Sequence, residues 1–295
     1  RLPKKDGTYR SLCVPSIRLR FCQDPIKEKI LPQLPVSKFA TAYQKGSTTR
    51  GNAEPHIGKK FLLKLDITDF FGSITFEQVQ CAAFNTRYVS RQVGYLLTSL
   101  CCKDDSLPQG AATSPALSNI VMYRFDDYIG RWCSQRQIAY TRYCDDMTFS
   151  ANLPLYGVYQ KVKTMLREMG FELNESKTHF IGNDNRQSVT GLVVNEKLSI
   201  PSGYKRDLRQ EVYYALKFGV EDSVLHVHRS DFIEDGKPIC CPTYMLHLMG
   251  KVQYVLQIEP ENLWFKDAQK KLLAYIYEHY SESLSYYLHF NKNGK

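Results

Sequence analysis

The sequence predicts an α+β fold, in which a mixed body is followed by an α-rich C-terminal unit. A buried strand is predicted at Phe61–Asp66, where apolar residues surround a single lysine. Two further β-forming runs, Gln137–Arg142 and Met147–Ser150, are separated by Tyr143-Cys-Asp-Asp146 and together predict a hairpin. From about residue 201 onward, apolar residues recur at helical spacing, so this part is expected to be mostly helical.

The N-terminal part of the body is predicted to combine a short hairpin with helices. Residues 1–40 predict a basic hairpin followed by a helix, because a Lys-Lys-Asp-Gly-Thr turn signal precedes a β-prone run. The segment Thr75–Leu100 follows a largely helical pattern. Residues 107–115 predict a loop, and Pro115 suits the first turn of a helix that continues through Asp127.

The remainder of the chain carries further helical patterns around one short strand set. An amphipathic helix is predicted at Leu155–Met169, and short strands are predicted to extend through Val189–Asn195. The next helix opens at Ser202, after a proline, and is stopped by Gly219. Two more helices are predicted near 243–258 and 262–281.

Composition indicates a globular protein with a polyanionic partner. Of the 295 residues, 43% are hydrophobic and 23% are charged, which are ordinary values for a soluble domain. The net charge is +9 and the sequence pI is near 9.0, which favours binding to a polyanion. A charge excess that serves only solubility is the alternative.

The sequence also favours the cytosol as the compartment. No apolar run approaches the roughly 18 residues of a membrane span, and no signal-peptide pattern occurs, so we expect no membrane contact. The nine cysteines are odd in number and contain no C-x-x-C pair, which indicates reduced thiols. Because the chain begins at Arg1 inside a basic segment, we expect upstream sequence to be missing.

Adjacent aspartates occur three times, and their surroundings differ. Asp104-Asp105 fall in a polar loop, and Asp126-Asp127 are expected on a solvated helix face. Only Asp145-Asp146 are held by strands at a defined point, the predicted hairpin turn. Two carboxylates suit such a turn poorly but suit a metal ion well.

A third acid completes a pattern that is typical of nucleotidyl transfer. The two-metal mechanism needs a carboxylate on a strand, opposite a hairpin that carries carboxylates. Asp66 ends the predicted strand and supplies the first, while Asp145 and Asp146 supply the second. Asp66 as an ordinary strand-end acid is the alternative. The two phenylalanines of Asp66-Ile-Thr-Asp-Phe-Phe71 are placed to form the floor of a nucleotide pocket.

These motifs and others in the same order resemble those of reverse transcriptases, and most closely those of the bacterial retron enzymes. Three stretches resemble motifs of the whole superfamily: Asp66–Ile74, Leu107–Pro115 and Tyr143–Asp146. Asn52-Ala-Glu-Pro-His56 is similar to the retron N-A-x-x-H motif, and Val189-Thr-Gly191 to the retron V-T-G motif. The cysteine in Tyr-Cys-Asp-Asp departs from the alanine typical of retrons, but it is also small and apolar.

The resemblance implies a two-metal polymerase site. It implies that Asp66, Asp145 and Asp146 bind two Mg²⁺ ions, for which Mn²⁺ can substitute, with help from the backbone carbonyl of Ile67. Lys177 corresponds to a lysine that protonates the leaving pyrophosphate. An ordinary surface lysine is the alternative for Lys177.

The resemblance also implies a pocket for the incoming deoxynucleotide. Its implied residues are Lys5, Arg10, Asp69, Phe70, Phe71, Gln109 and Gly110. Phe71 would be the steric gate, because a rigid ring excludes a 2′-hydroxyl; a core phenylalanine is the alternative. Gly110 allows the backbone to approach closely. Lys5 and Arg10 would clamp the triphosphate by charge-assisted bonds, although Lys5 could equally be a solvated turn lysine.

Contacts with RNA or with the template–primer duplex are implied for a third group of residues. They are Asn52, His56, Tyr143, Lys205, Arg206 and Arg209. The last three lie on one predicted helix side and would make phosphate contacts, which are independent of sequence. A solvated helix face is the alternative for these three, and a local turn is the alternative for Asn52 and His56.

The fold implied by the resemblance is a right-hand polymerase. Residues 1–60 would form fingers whose N-terminal part is missing, and residues 61–200 a palm with an antiparallel sheet. A fingers insertion would lie near 75–105, and residues 201–295 would form an α-helical thumb that binds template–primer and RNA.

The implied function is that of a retron RNA-directed DNA polymerase. Such an enzyme copies part of a cognate non-coding RNA, using deoxynucleotides and a guanosine 2′-hydroxyl as primer, into a branched RNA–DNA molecule. The implied setting is antiphage defence with a separate effector protein. Two alternatives stay open: another bacterial reverse transcriptase, of the group II intron or abortive-infection type, and an RNA-binding scaffold that controls a toxin.

Overall fold

The structure is a computed structural model in which the chain forms two compact units. It describes residues 2–3, 9–10, 12–87, 89–227, 230–234, 237–239 and 241–293, with the backbone alone at 2–3, 9–10, 230 and 281–293. The first unit is Arg1–Thr190 with Val194–Lys197, and the second is Gly191–Val193 with Leu198–Lys295. The finer division into fingers, palm and thumb stays a prediction.

The first unit is built on a four-stranded antiparallel sheet in the order β4-β5-β3-β6. Its strands in chain order are β1 Leu2–Pro3, β2 Tyr9–Arg10, β3 Phe61–Asp66, β4 Ala139–Tyr143, β5 Asp146–Ala151, β6 His179–Gly182 and β7 Ser188–Val189. The predicted strand and hairpin are therefore present, with β5 between β4 and β3. The predicted N-terminal hairpin is present as the pair β1 and β2.

Seven α-helices accompany this sheet within the described residues. They are α1 Ile17–Pro25, α2 Thr49–Ala53, α3 Phe76–Ala83, α4 Arg91–Cys101, α5 Ser114–Val121, α6 Tyr123–Ser134 and α7 Tyr156–Glu168. The segment predicted as largely helical between Thr75 and Leu100 is two helices, because Thr75 caps α3 with a capping box and Ser90 caps α4. Pro115 lies in the first turn of α5, as predicted.

The core of the first unit lies between the sheet and these helices. Side chains from β3 and β5, including Leu63, Leu65 and Phe149, are fully buried with Phe125 of α6 and Phe171. Burial of large apolar side chains supplies the main driving force for this arrangement, at about 1.5–3 kcal/mol for each. The sheet edge that carries the acids is therefore fixed by a close-packed interior.

The expectation that Asp126 lies on a solvated helix face is wrong. Asp126 is 0% exposed and forms an ion pair with the equally buried Arg142, with 2.6 Å between Oδ2 and Nη2. The adjacent Asp127 does lie near solvent, where it pairs with Arg131 at 2.9 Å. Because β4 presents Tyr140 and Arg142 inward on one face, α6 must offer them an acid.

The second unit is mostly helical, as predicted. Its strands are β8 Leu192–Val193, β9 Ile233–Glu234 and β10 Lys237–Pro238, and its helices are α8 Ser202–Phe218, α9 Val220–His226, α10 Cys241–Ile258 and α11 Leu263–Asn293. Gly219 ends α8 with a φ of 93°, which a glycine adopts without strain. Among the helices of the described residues, none has both the length and the apolar character that crossing a membrane requires.

Candidate active site

The hairpin of β4 and β5 presents two acids at its tip. Tyr143 pairs with Asp146, so that Cys144 and Asp145 alone form the turn. Cys144 has a φ of +62°, whereas Asp145 keeps a negative φ, which is the pattern of a type II′ turn. A turn of this type matches the twist of the two strands and fixes the direction in which the acids leave the sheet.

The third acid lies beside the hairpin on the neighbouring strand. Asp66 is directly opposite Asp146 in the antiparallel register of β3 and β5. Side chains opposite each other in such a pair have Cβ atoms roughly 4.5–5.5 Å apart on one face. The amide of Ile67 also donates to the carbonyl oxygen of Asp145 at 3.2 Å. The structure therefore brings Asp66, Asp145 and Asp146 together at one end of the sheet.

The charges at this end of the sheet are only partly compensated. Asp66 is 6% exposed, and both of its carboxylate oxygens accept from Lys177 Nζ at 3.0 Å. Although Asp146 has an exposed surface, the protein around its carboxyl displaces water, and this desolvation raises its pKa. The negative charges of Asp145 and Asp66 raise the pKa of Asp146 further. The cluster would thus be stabilised by additional positive charge.

The donor set fits a hard divalent cation. Carboxylate oxygens are the ligands that Mg²⁺ prefers, and the charges of Asp66 and Asp145 act on Asp146 here, with Lys64 and Lys177 nearby. Within the part of the chain that the structure describes, no three His, Cys, Asp or Glu side chains are already gathered around a point that could hold a metal. Lys177 donates to both oxygens of Asp66, and each oxygen keeps a further lone pair that can coordinate a metal ion.

The hydrogen bond with Asp66 also determines the state of Lys177. This bond, followed by the charge of Asp66, raises the pKa of Lys177, although partial desolvation acts against it. Lys177 is therefore protonated at neutral pH and lies next to the acids. Its partner is 111 residues away in the sequence, so no local pattern could have predicted the contact.

Beneath the turn lies a buried polar network that the sequence analysis missed. Arg142 donates to both oxygens of Asp126 and, through Nη1, to the carbonyl oxygen of Cys144 at 2.8 Å. Arg142 Nη2 also donates to Asn119 Oδ1 at 3.1 Å, and Tyr140 donates its hydroxyl to Asp126 at 2.8 Å. The sequence signal that could have predicted this network is the alternation in β4, which places Tyr140 and Arg142 on the same face of a buried strand.

Cys144 itself is packed against the protein rather than open to solvent. Its residue is 9% exposed, and the hydroxyl of Tyr43 donates to its Sγ at 3.1 Å. Burial, with the nearby charge of Asp145, raises the pKa of the Cys144 thiol to about 12. Cys144 is therefore a small neutral side chain in the turn, which fits the role of a spacer between Tyr143 and the acids.

The residues predicted to bind nucleotide differ in exposure. Phe70 is 3% exposed and its ring contacts those of Phe71 and Phe171, whereas Phe71 is half-buried. Asp69 is exposed and has a φ of +42°. Phe71 and Asp69 are thus accessible to a ligand, whereas Phe70 supports Phe71 from the core.

The loop before α5 lies against the segment before α1. The carbonyl oxygen of Gln109 accepts from the amide of Cys13 at 2.7 Å. Gly110 has a φ of +108°, and a Cβ at this position would lie 3.0 Å from the carbonyl oxygen of Cys13. Only glycine suits this backbone and this approach. Lys5 lies outside the described residues, and only the backbone of Arg10 is described.

Direct RNA contacts at Asn52 and His56 do not agree with the structure, which buries both side chains. His56 is 0% exposed and is hydrogen-bonded to Ser150 Oγ at 2.7 Å and to Thr141 Oγ1 at 2.9 Å. Asn52 is 1% exposed and donates to Thr190 Oγ1 at 3.4 Å. His56 therefore ties both strands of the catalytic hairpin to the protein interior, and Asn52 links the two retron motifs.

The remaining candidates for nucleic-acid contact also differ from one another. Tyr143 is half-buried at the end of β4. In the second unit, Lys205 is turned toward Glu259, with 2.7 Å between Nζ and Oε1, and is only 19% exposed. Arg206 and Arg209 are exposed on α8, and Arg209 lies over the rings of Trp264 and Phe265. Arg206 and Arg209 are thus available for phosphate contacts, whereas Lys205 is engaged within its unit.

The sequence of this chain is similar to those of known proteins. Residues 2–195 match the family described as reverse transcriptase (RNA-dependent DNA polymerase). The retron Ec86 reverse transcriptase of Escherichia coli is 32% identical over 221 residues, which cover 74% of this chain and 68% of that protein. The retron Mx65 reverse transcriptase of Myxococcus xanthus is 30% identical over 280 residues, which cover 88% and 61%. The chain thus spans about two thirds of the length of these relatives.

Solved structures were compared as well. The apo telomerase of Candida tropicalis aligns over 88% of this chain and 51% of that chain, with 10% identity and a TM-score of 0.48. A telomerase of Candida albicans in complex with a telomeric RNA fragment aligns over 94% and 56%, with 11% identity and a TM-score of 0.43. The family match and the sequence relatives carry the assignment: the chain belongs to the retron reverse transcriptases, which are RNA-directed DNA polymerases with a right-hand fold.

Proposed function

We propose that this protein copies part of a structured non-coding RNA into DNA and leaves a branched RNA–DNA product. The single observation that carries the proposal is the meeting of Asp66, Asp145 and Asp146 at one end of the sheet. The proposed ligands of two Mg²⁺ ions, or of Mn²⁺, are these three carboxylates and the carbonyl of Ile67. Bound there, the ions would activate the attacking hydroxyl and stabilise the leaving phosphate.

The protein's own residues supply the rest of the proposed chemistry. Lys177 is held protonated next to Asp66, so it can give a proton to the leaving pyrophosphate once it has released that carboxylate. The half-buried Phe71 is supported from behind by the core ring of Phe70, which keeps it a rigid wall against a 2′-hydroxyl. Gln109 and Gly110 would line the deoxynucleotide.

The proposed partners extend this activity to a biological setting. Relatives are named as retron reverse transcriptases, and the net charge of +9 suits a structured RNA and its RNA–DNA product. In the proposed setting, a guanosine 2′-hydroxyl of that RNA is the primer. A separate effector protein completes an antiphage system in the bacterial cytoplasm.

The test of catalysis compares two Asp-Asp pairs of the same chain. We expect Asp145→Asn with Asp146→Asn to lower the rate on a primed RNA template with Mg²⁺ by at least about 10³-fold, because charge stabilisation in the transition state is lost. The matched control is Asp104→Asn with Asp105→Asn, in an exposed loop where asparagine tolerates the φ values of 48° and 60°. Full activity in the first variant would contradict the mechanism.

The test of the retron assignment examines nucleic acid that copurifies with the protein. A covalently branched RNA–DNA molecule is the expected finding. A long intron RNA would favour another class of reverse transcriptase. RNA without attached DNA would favour an RNA-binding scaffold, provided that the Asp145→Asn, Asp146→Asn variant still controls the toxin as the wild type does.

A further inference from the structure

The buried guanidinium of Arg142 contacts the catalytic turn directly. Arg142 is the residue before Tyr143, and its side chain is 0% exposed. Nη1 donates to the carbonyl oxygen of Cys144 at 2.8 Å, which is the oxygen of the peptide that joins Cys144 to Asp145. The orientation of this peptide determines the directions in which Asp145 and then Asp146 leave the turn.

The turn needs such an anchor because its backbone is strained. The φ of +62° adopted by Cys144 lies in a region that non-glycine residues rarely adopt. A hydrogen bond from a charged donor is stronger than one between neutral groups, so the bond from Arg142 stabilises this conformation. The second anchor of the turn, from the Ile67 amide to Asp145, is longer at 3.2 Å.

The guanidinium is itself fixed from two helices. Asp126 of α6 accepts from Nε at 2.9 Å and from Nη2 at 2.6 Å, and Asn119 of α5 accepts from Nη2 at 3.1 Å. Asn119 is held in turn, because its Nδ2 donates to the carbonyl oxygen of Ala42 at 2.8 Å. Only the planar fork of an arginine can satisfy these acceptors and the turn carbonyl at once.

We propose that Arg142 is a positioning residue for catalysis, which holds the Cys144–Asp145 peptide in the orientation that presents the two acids. The inference rests on the proposed metal-binding role of Asp145 and Asp146. A misplacement of about 1 Å at a catalytic group can cost about 10²-fold in rate. Loss of the anchor is therefore expected to lower kcat by about 10–100-fold and to leave KM for the deoxynucleotide within about twofold.

The main test replaces the buried network by apolar side chains of similar size, in the full-length protein. In the triple variant Asp126→Leu, Tyr140→Phe, Arg142→Met, no buried charge is left unpaired, and such replacements are often neutral or stabilising. The matched control is Asp127→Leu with Arg131→Met, the partly exposed pair on the same helix. Three readouts are compared: melting temperature, amide hydrogen exchange of the segment 139–151, and kcat with KM on a primed RNA template.

The expected result is a folded triple variant with faster exchange in that segment and a lower kcat, while the control matches the wild type in all readouts. A folded triple variant with wild-type exchange and wild-type kcat would overturn the proposal. If the triple variant does not fold, the variant Arg142→Lys provides the test of the proposal. It retains a charge opposite Asp126 but cannot also hold the Cys144 carbonyl, so the same loss of kcat and faster exchange are expected, and their absence overturns the proposal.

The exchange measurement needs no substrate and no metal ion. If wild-type protein has no polymerase activity, the proposed function fails, while the exchange of the segment still reports whether Arg142 holds the turn. The two failures are therefore distinguishable.

Discussion

Asp126 and Asp146 lie on opposite sides of the same hairpin turn and have opposite surroundings. Asp126 is buried beneath the turn, where Arg142 and Tyr140 satisfy its oxygens. Asp146 faces outward among like charges, and both its surroundings and its neighbours raise its pKa. The comparison teaches that an aspartate serves stability where the protein supplies its cation, whereas a carboxylate left among like charges suits the metal-binding role that we propose for Asp146.

The largest effect is expected from breaking the buried pair. Asp126→Asn should lower the free energy of unfolding by about 3–5 kcal/mol, because it leaves the buried charge of Arg142 without a partner. Urea unfolding measures this change. Asp127→Asn, one position along α6, should change it by less than about 1 kcal/mol, since its pair with Arg131 is partly exposed to solvent. Equal effects of the two substitutions would contradict the contrast.

The second prediction concerns His56, another buried group that holds the hairpin. Burial, followed by the charge of Lys59, lowers the pKa of His56 to about 3. The pKa of His56 in the folded protein lies below its ordinary value of 6.5. The contribution of His56 to the free energy of unfolding is therefore full above pH 6.5 and is lost as the pH falls toward 3, at about 1.4 kcal/mol per pH unit.

The variant His56→Gln tests this contribution by equilibrium unfolding at several pH values. Its unfolding free energy should fall less steeply than that of the wild type below pH 6.5, because the titrating group is absent. The substitution of the exposed His279 by Gln, measured alongside, provides the control for replacing a histidine elsewhere in the chain. A direct RNA contact would instead appear as weaker RNA binding by His56→Gln at pH 7.5 with unchanged stability.

A smaller effect is expected from Phe71, the half-buried ring beside the acids. Phe71→Val should reduce the preference for deoxynucleotides over ribonucleotides by about 10–100-fold, because a gap replaces the ring that we propose excludes the 2′-hydroxyl. Single-nucleotide incorporation of both substrates by the same preparation measures the ratio. Tyr95→Val, which removes an exposed ring from α4, is the control and should leave the ratio unchanged.

The smallest effect has the opposite sign to the first. Asp146→Asn should raise the melting temperature at pH 7, because it removes one of three crowded charges. The raised pKa means that Asp146 destabilises the folded state only as the pH rises above the ordinary value of 3.8. The difference between variant and wild type should therefore shrink as the pH is lowered toward 3.8. A lower melting temperature in the variant at pH 7 would show that Asp146 is internally compensated.

Much of the fold follows from local sequence patterns, but the partners of charged residues do not. The hairpin, α7 and α8 were predicted because apolar spacing and stop residues are read within a short window. Asp126 was placed wrongly because its burial depends on an arginine of β4, which lies 16 residues along the chain. The spacing of residues along a helix shows which face an acid lies on, but it does not show whether a cation from another element lies opposite that face.

The same reason explains which parts of the site could be predicted. The acids of the turn and of β3 were recognisable from strand ends and from their motifs. The bond between Lys177 and Asp66 spans 111 residues, and the link between Asn52 and Thr190 spans 138. Such contacts depend on how the whole first unit closes, so their geometry required the structure.

The packing of Cys144 has a practical consequence for chemical labelling. Its thiol is buried against Tyr43 and has a pKa near 12, so it forms almost no thiolate at neutral pH. Cys22 and Cys81, by contrast, are exposed. Maleimide dyes should therefore attach to exposed positions such as these and spare the turn, which allows a fluorescent enzyme to be prepared without removing the cysteine next to its acids.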